Sequence, residues 1–311
     1  SKGKMTIDKL VLLISYFELT ITCTDSMLTY LLNLSNYGIR VKRIKNILDY
    51  TSESNIDFGD ITNDYINGTV VFDKVNYVIK NKLILNNISF KIYPNEITAI
   101  VGHSGSGKTT IMNLLYRLDR IKSGSILIDD ENIYNYTKKV YASNVSGVFQ
   151  KPFMFEMSIR DNLSLIDNNY KNQIEACKRV GIHDFIESLP KGYNTVISNE
   201  DRVFSEGQKQ LLVIARALLT KSEILLFDEV TSNIDPNTTT MVGDVLKDLK
   251  HDHTIIMITH KPEMMQIADR VIVLDKGKVV SKGTNDQVFD KCSLYRELRN
   301  RTFASISNNE N

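Results

Sequence analysis

The sequence predicts an α/β protein: a parallel core sheet flanked by helices, with an antiparallel β subdomain, a helical subdomain and one long helix in front. Three observations predict it. From about residue 97 onward, helical patterns alternate with short apolar runs, notably "EILLFDE", "TIIMITH" and "RVIVLDKGKVV". Such alternation argues for parallel strands joined by helices. A strand, a glycine-rich loop and a helix follow one another in "EITAIVG", "HSGSGKTT" and "IMNLLYRL". From Lys4 to Tyr50 the chain is rich in apolar residues, has no proline and holds one glycine, Gly38.

Taken in order, that first segment predicts a helix from Ile7 to Leu34. It is long enough to cross a bilayer, which takes about 20 residues at roughly 1.5 Å each. Asp8, Lys9, Glu18 and Asp25 interrupt it, and an Asp near the bilayer centre costs about 2.5–3.5 kcal/mol on insertion scales. Two readings stand on pattern alone. One is a helix of a membrane bundle, with Glu18 and Asp25 turned toward a polar cavity. The other is an amphipathic helix or coiled-coil arm of a soluble protein. Arg40, Lys42, Arg43 and Lys45 follow, as they would on the cytoplasmic side of a span. Residues 51–67 are polar and rich in Asn, Asp and Gly, the composition of a linker. "TVVFDKVNYVI" and "LILNNISFKI" then read as a strand pair, with Lys80 to Lys82 as the turn region. At the other end, residues 302–311 read as a polar, frayed tail.

The bulk numbers suit this plan. With 311 residues, 42% of them apolar and 24% charged, the chain can build one large domain plus an appendage, or two modest domains. A net charge of +1 supplies no global field toward nucleic acid or an acidic partner. Cys23, Cys177 and Cys292 are far apart and odd in number, which gives neither a disulfide framework nor a metal spacing.

The chemistry is concentrated in three places. "GHSGSGKT", Gly102 to Thr109, fits G-x-x-x-x-G-K-[ST] in full. Such a loop curls successive backbone N–H groups around phosphate oxygens, and the following helix presents its positive N-terminus. The expected nucleotide contacts are Gly102, Ser104, Gly105, Gly107, Lys108, Thr109 and Thr110, with the Lys108 charge on the β/γ-phosphates and the Thr109 hydroxyl on Mg²⁺. "ILLFDE" is an apolar strand ending in two carboxylates. Asp228 can hold Mg²⁺ through water, and Glu229 can polarise an attacking water. "MITH" ends another apolar strand at His260. A lone strand-end histidine is usually a solvated cap. This one falls at the same predicted sheet edge as Lys108 and Glu229, which points to a γ-phosphate contact. His103, His183, His251 and His253 receive no role.

With these motifs in order, the chain resembles the ATP-binding cassette (ABC) family of transport ATPases, a P-loop NTPase cassette, from about Gly68 to Leu298. The resemblance identifies Gly102 to Thr109 with the Walker A loop, Gln150 in "VSGVFQKP" with the Q-loop glutamine, and Asp228 and Glu229 with the Walker B aspartate and catalytic glutamate. Ser232 to Asp235 match the D-loop, and His260 the switch histidine. "FSEGQKQ" stands where the L-S-G-G-Q signature belongs. "FMFEMSIRDNL", "LPKGYNT" and the opening "GKMTID" resemble exporter segments. The resemblance therefore implies a last transmembrane helix with its cytoplasmic extension over 1–50, a linker over 51–67 and a cassette over 68–301. Within the cassette a helical subdomain covers about 151–216. It implies an excised piece, with the rest of the membrane domain missing. It also implies an ATPase motor at the cytoplasmic face of the cell membrane, using ATP and Mg²⁺. Gln150 joins Thr109 and Asp228 at the metal. Catalysis falls to Glu229, His260 and Lys108. Ser205, Gly207, Gln208 and Asp235 act in the nucleotide interface with a second cassette, identical or different. The expected partners are that cassette and the chain's own transmembrane domain, with no nucleic acid. The competing reading is a cassette not tied to export, serving DNA maintenance or translation. It meets a near-neutral chain with one cassette and no heptad run between the phosphate loop and the signature. A nonhydrolytic regulatory cassette is a third reading, against which Glu229 and His260 both stand. Peptide, lipid and drug cargoes all fit.

The sequence departs from the family pattern in three places. The aromatic that stacks on adenine should fall near Ile79; Tyr77, two residues earlier on the same strand face, is the nearest substitute, but by alignment it is the core aromatic instead. Asn199 and Asp201 stand where exporters carry an acid and a glycine. The signature has Phe204 for Leu and Glu206 for its first Gly, while Ser205, Gly207 and Gln208 remain.

Overall fold

A computed structural model describes residues 6–48, 58–63, 65–197, 204–232 and 234–306. The chain divides into two compact units, Ser1–Asn55 and Ile56–Asn311. Asn199, Asp201 and residues 51–57 of the expected linker lie outside the described residues.

Among the described residues, the first unit holds one helix, α1 (Ile7–Leu48), 42 residues long, or roughly 63 Å at 1.5 Å per residue. Leu13, Phe17, Leu31 and Val41 are all exposed, and the apolar residues form no single stripe. An amphipathic helix carries such a stripe. The hydroxyls of Ser15, Thr20, Thr22, Thr24, Ser26 and Thr29 each donate to a carbonyl three or four residues back. Hydroxyls satisfied inside their own helix can face lipid without an unmet hydrogen bond. By length and composition, Ile7–Lys45 suffices to cross a membrane.

In the second unit the strands are, in chain order, β1 (Val70–Ile79), β2 (Lys82–Ile92), β3 (Ile97–Gly102), β4 (Ser123–Ile128), β5 (Glu131–Asn132), β6 (Val145–Val148), β7 (Ile224–Asp228), β8 (Thr254–Ile258), β9 (Arg270–Asp275) and β10 (Lys278–Thr284). The helices are α2 (Lys108–Leu115), α3 (Lys138–Asn144), α4 (Ile159–Ser164), α5 (Tyr170–Arg179), α6 (His183–Ser188), α7 (Glu206–Leu218), α8 (Pro236–Leu249), α9 (Pro262–Gln266), α10 (Asn285–Lys291) and α11 (Ser293–Ile306). One sheet is antiparallel, in the order β2-β1-β4-β5. The other runs β10-β9-β3-β8-β7-β6, parallel from β9 to β6.

β3 and β8 are buried at every position, and β7 at all but its last. That is why these segments read as unbroken apolar runs and not as alternations. Ile97, Ala99 and Val101 enter one hydrophobic core and Ile100 the other, so β3 is packed on both faces. Because β3, β7 and β8 are parallel neighbours, their carboxyl ends deliver Gly102, Asp228 and His260 to one edge, where such sheets place their ligands.

Two segments differ from expectation. Residues 58–67 are not a free linker. Ile66 is buried in the core, Ile61 pairs with Tyr136, and Phe58 lies under the Arg117 guanidinium at 4.1 Å. The isolated apolar residues in this polar stretch are its docking points. At the other end α11 continues to Ile306, so residues 302–306 are helical where a frayed tail was expected. No Gly or Pro interrupts the segment after Ser293. Residues 307–311 lie outside the described set.

Candidate nucleotide site

The loop after β3 is preformed. Gly107 caps α2 with a left-handed φ of 105°, and a Cβ there would come within 2.6 Å of Leu85. No side chain caps α2, which leaves its first N–H groups open toward the loop. The Lys108 ammonium is folded back onto the loop, donating to the carbonyls of Gly102 and His103 at 2.9 Å each. Burial lowers its pKa, while Glu229 and Asp228 pull the other way. Ser104, Gly105 and Thr109 are exposed along the rim, and Thr110 is half-buried. The Ser106 hydroxyl is buried without a partner beneath the loop. These groups suit an anion: donors are plentiful, and none of these side chains is acidic.

Beside the loop sit the two acids of β7. Burial, and then Glu229, raise the pKa of Asp228, opposed by Lys108. Two carboxylates on adjacent residues near one buried ammonium form a place that a divalent cation would relieve. The oxygen donors of Asp228, Thr109 and Gln150 fit a hard cation such as Mg²⁺. Glu229 has a left-handed φ of 50°, a costly conformation for a non-glycine residue, of the kind that collects at functional sites. Its N–H donates to Ile258 O at 3.0 Å, tying it to β8. One carboxylate oxygen accepts from the Gln150 amide at 3.0 Å. The other lies 3.0 Å from His260 Nε2. Burial first, then Lys108, lower the His260 pKa, with Glu229 opposing, so the imidazole is neutral near pH 7 and can donate Nε2–H to the carboxylate. Thus Gln150, Glu229 and His260, far apart in sequence, meet around one carboxylate.

The start of α7 is organised differently. The Ser205 hydroxyl accepts the Gln208 N–H at 3.1 Å, and the Gln208 side chain accepts the Ser205 N–H at 2.9 Å, a capping box. Gly207 lies against α8, where a Cβ would come within 2.4 Å of Thr238. Glu206 is 56% exposed and lies 3.3 Å from Lys209. An acid in the first helical turn also suits the helix dipole. Phe204 is buried and meets Phe185 edge-on at 5.5 Å, so the unusual aromatic anchors the helical subdomain. Asp235 caps α8, accepting the Thr238 N–H at 3.0 Å.

The expected adenine contact needs correction. Tyr77 is 6% exposed within the core, while Ile79 is 43% exposed at the hairpin end. Register shifts in β1, one of them between Tyr77 and Val78, break the alternation that would place both on one face. Tyr77 is therefore a core residue and offers no ring to a base. Two contacts were not anticipated. Ser232 accepts from the Gln150 amide at 3.4 Å. Lys261, next to His260, donates to Ile234 O and to Thr239 Oγ1. Ser232 opens the segment matched to the D-loop, but that match does not foretell its contact with Gln150, and no motif marks Lys261.

A family model for ABC transporters matches residues 85–232. The ATP-dependent lipid A-core flippase of Idiomarina loihiensis is 35% identical over 263 residues, covering 83% of this chain and 45% of that protein. This chain belongs to the ABC transporter family. An ABC-type oligopeptide transporter of Homo sapiens is 30% identical, covering 98% of this chain and 40% of its own length. Among solved structures, a bacterial Atm1-family ABC exporter with ATP bound superimposes with a TM-score of 0.74 at 29% identity, covering 97% of this chain and 54% of that one. The chain thus spans about half or less of the ABC proteins it matches.

Proposed function

We propose that this chain is the ATP-hydrolysing motor segment of an ABC exporter, carrying one membrane helix ahead of its cassette. The observation that carries the proposal is the Glu229 carboxylate, held by Gln150 and His260 at the edge where Lys108 and the phosphate loop also stand. The loop N–H groups and the open end of α2 bind the phosphates of ATP. Lys108 exchanges its hold on loop carbonyls for phosphate oxygens. Glu229 orients the attacking water and takes its proton. His260, neutral at Nδ1 and donating from Nε2, keeps the carboxylate aimed. Thr109, Asp228 and Gln150 would hold Mg²⁺, which would supply charge neutralisation on the phosphates.

Ser205 and Gly207 act on the nucleotide of a second cassette, closing head to tail, and Asp235 belongs to the same interface. The cassette works at the cytoplasmic face of a membrane crossed by α1. Its remaining partners are the other membrane helices of the exporter. The flippase and oligopeptide relatives make lipid and peptide the leading cargo classes.

The direct test is phosphate release from Mg²⁺-ATP by the whole chain in detergent. Lys108→Ala should abolish nucleotide binding and turnover together. Turnover that survives Lys108→Ala at full rate rules the proposal out.

A further inference from the structure

We infer that Lys261 is a positioning residue for hydrolysis. Its ammonium ties the turn carrying Ile234 to the strand end carrying His260, and so sets the Glu229 carboxylate against the imidazole. The inference rests on the reading of Glu229 and His260 as the hydrolytic pair.

The contacts form a closed ring. Lys261 follows His260 directly in the chain. Its Nζ donates to Ile234 O at 2.7 Å and to Thr239 Oγ1 at 2.8 Å. The Ile234 N–H reaches Thr231 O at 3.4 Å, and the Ser232 N–H donates to Glu229 O at 3.0 Å. The Glu229 carboxylate then returns to His260 Nε2 at 3.0 Å. A displacement of Ile234 is therefore passed through two short turns to Glu229, while His260 is held from the other side by the backbone it shares with Lys261. A branch of the same network reaches α8: the Thr239 hydroxyl donates to Asp235 O at 2.8 Å. Ser232 also carries the Gln150 contact, so Gln150 and His260, the two groups that hold the carboxylate, are both fastened to this turn.

The chemistry supports a fastening role. A surface lysine normally leaves its ammonium in water and covers apolar surface with its stem. Lys261, half-buried, exchanges part of that solvation for a carbonyl and a hydroxyl, an exchange favoured by well-made hydrogen bonds. Burial lowers its pKa, with Glu263 and Asp235 opposing. A methionine would keep the stem and lose the donors. An arginine would keep the donors.

The test measures ATP turnover against ATP concentration for the whole chain and for Lys261→Met, Lys261→Arg and Glu229→Gln, with a thermal unfolding curve for each. In Lys261→Met, kcat falls roughly 10- to 100-fold, the scale of a misplaced catalytic group. KM for ATP stays within about twofold, because the phosphate loop is untouched. Lys261→Arg recovers most of the rate. An unchanged kcat in folded Lys261→Met, beside an inactive Glu229→Gln, overturns the inference and leaves the site reading standing. A fully active Glu229→Gln overturns the site reading and the inference with it. Should Lys261→Met not fold, Thr239→Val removes one of the two acceptors. A drop in kcat at constant KM then supports the fastening, and no drop overturns it.

Discussion

At the carboxyl edge of the core sheet, Gln150, Glu229 and His260 hold one another, and the neighbouring Lys108 is held by its own loop. At the start of α7, the Ser205 and Gln208 side chains cap each other's backbone N–H groups, and Glu206 turns to Lys209 on its own helix. The first region pairs its charges and strained backbone through three strands and a loop. The second is a self-contained helix start with outward-facing polar groups. On the function proposed above, the first region is the reacting half of a site and the second is the half that a partner cassette would complete.

The sharpest way to break this comparison is Glu229→Gln. Loss of a general base costs at least roughly 10²-fold in turnover, read as phosphate release, while Gln150 and His260 keep a side chain of the same shape to bind. Full activity would remove the reacting half altogether. Ser205→Ala tests the other half. Loss of the cap alone destabilises by about 1 kcal/mol. Loss of a donor to the partner's nucleotide should also cut ATP-driven dimerisation by at least about 10-fold, measured by light scattering. A variant less stable but equally able to dimerise would leave α7 without its role at the interface.

A pH series separates the fold from both halves. His253 is buried, with Nδ1 2.7 Å from Ser222 O. Its pKa is pushed below the ordinary 6.5 by burial and then by Arg179, with the Ser222 carbonyl, Asp252 and Glu223 opposing. The unfolded chain therefore takes up the proton first as pH falls. This contribution to stability is whole above about pH 6.5, is lost as pH falls below it, and levels off only at the lower folded pKa. The urea midpoint should drop between pH 7.5 and 5.5, and His253→Gln should flatten that drop without moving the pH profile of turnover. The smallest effect is expected from Glu206→Gly. Removing an exposed carboxylate already neutralised by Lys209 should raise turnover or dimerisation by no more than about twofold. No change in either would mean that Glu206 faces away from the nucleotide.

Much of the site was legible because its pieces sit at the ends of apolar strands. "ILLFDE" and "MITH" announce their burial by composition and their chemistry by the polar residue that ends the run. The loop from Gly102 to Thr109 is legible because only small residues let a backbone turn that tightly around an anion. Tyr77 lies in the core, as its alignment implied, but strand alternation would put it on one face with Ile79, and β1 carries irregularities that composition does not mark. The docking of residues 58–67 was missed because a polar stretch with scattered isoleucines reads as linker until a surface exists to receive Ile61 and Ile66.

The amino-acid sequence by itself determined the parallel core, the phosphate loop, the paired acids, the histidine at the strand end and a long apolar helix in front. Each is a local pattern whose meaning depends on neighbours in the chain. Only the tertiary structure decided which carboxylate Gln150 and His260 share, that Phe204 is a core anchor, and that Lys261 reaches Ile234. These are distances between residues dozens of positions apart. Side-chain contacts of that kind follow from the order and register of strands in the sheet, which local pattern does not encode.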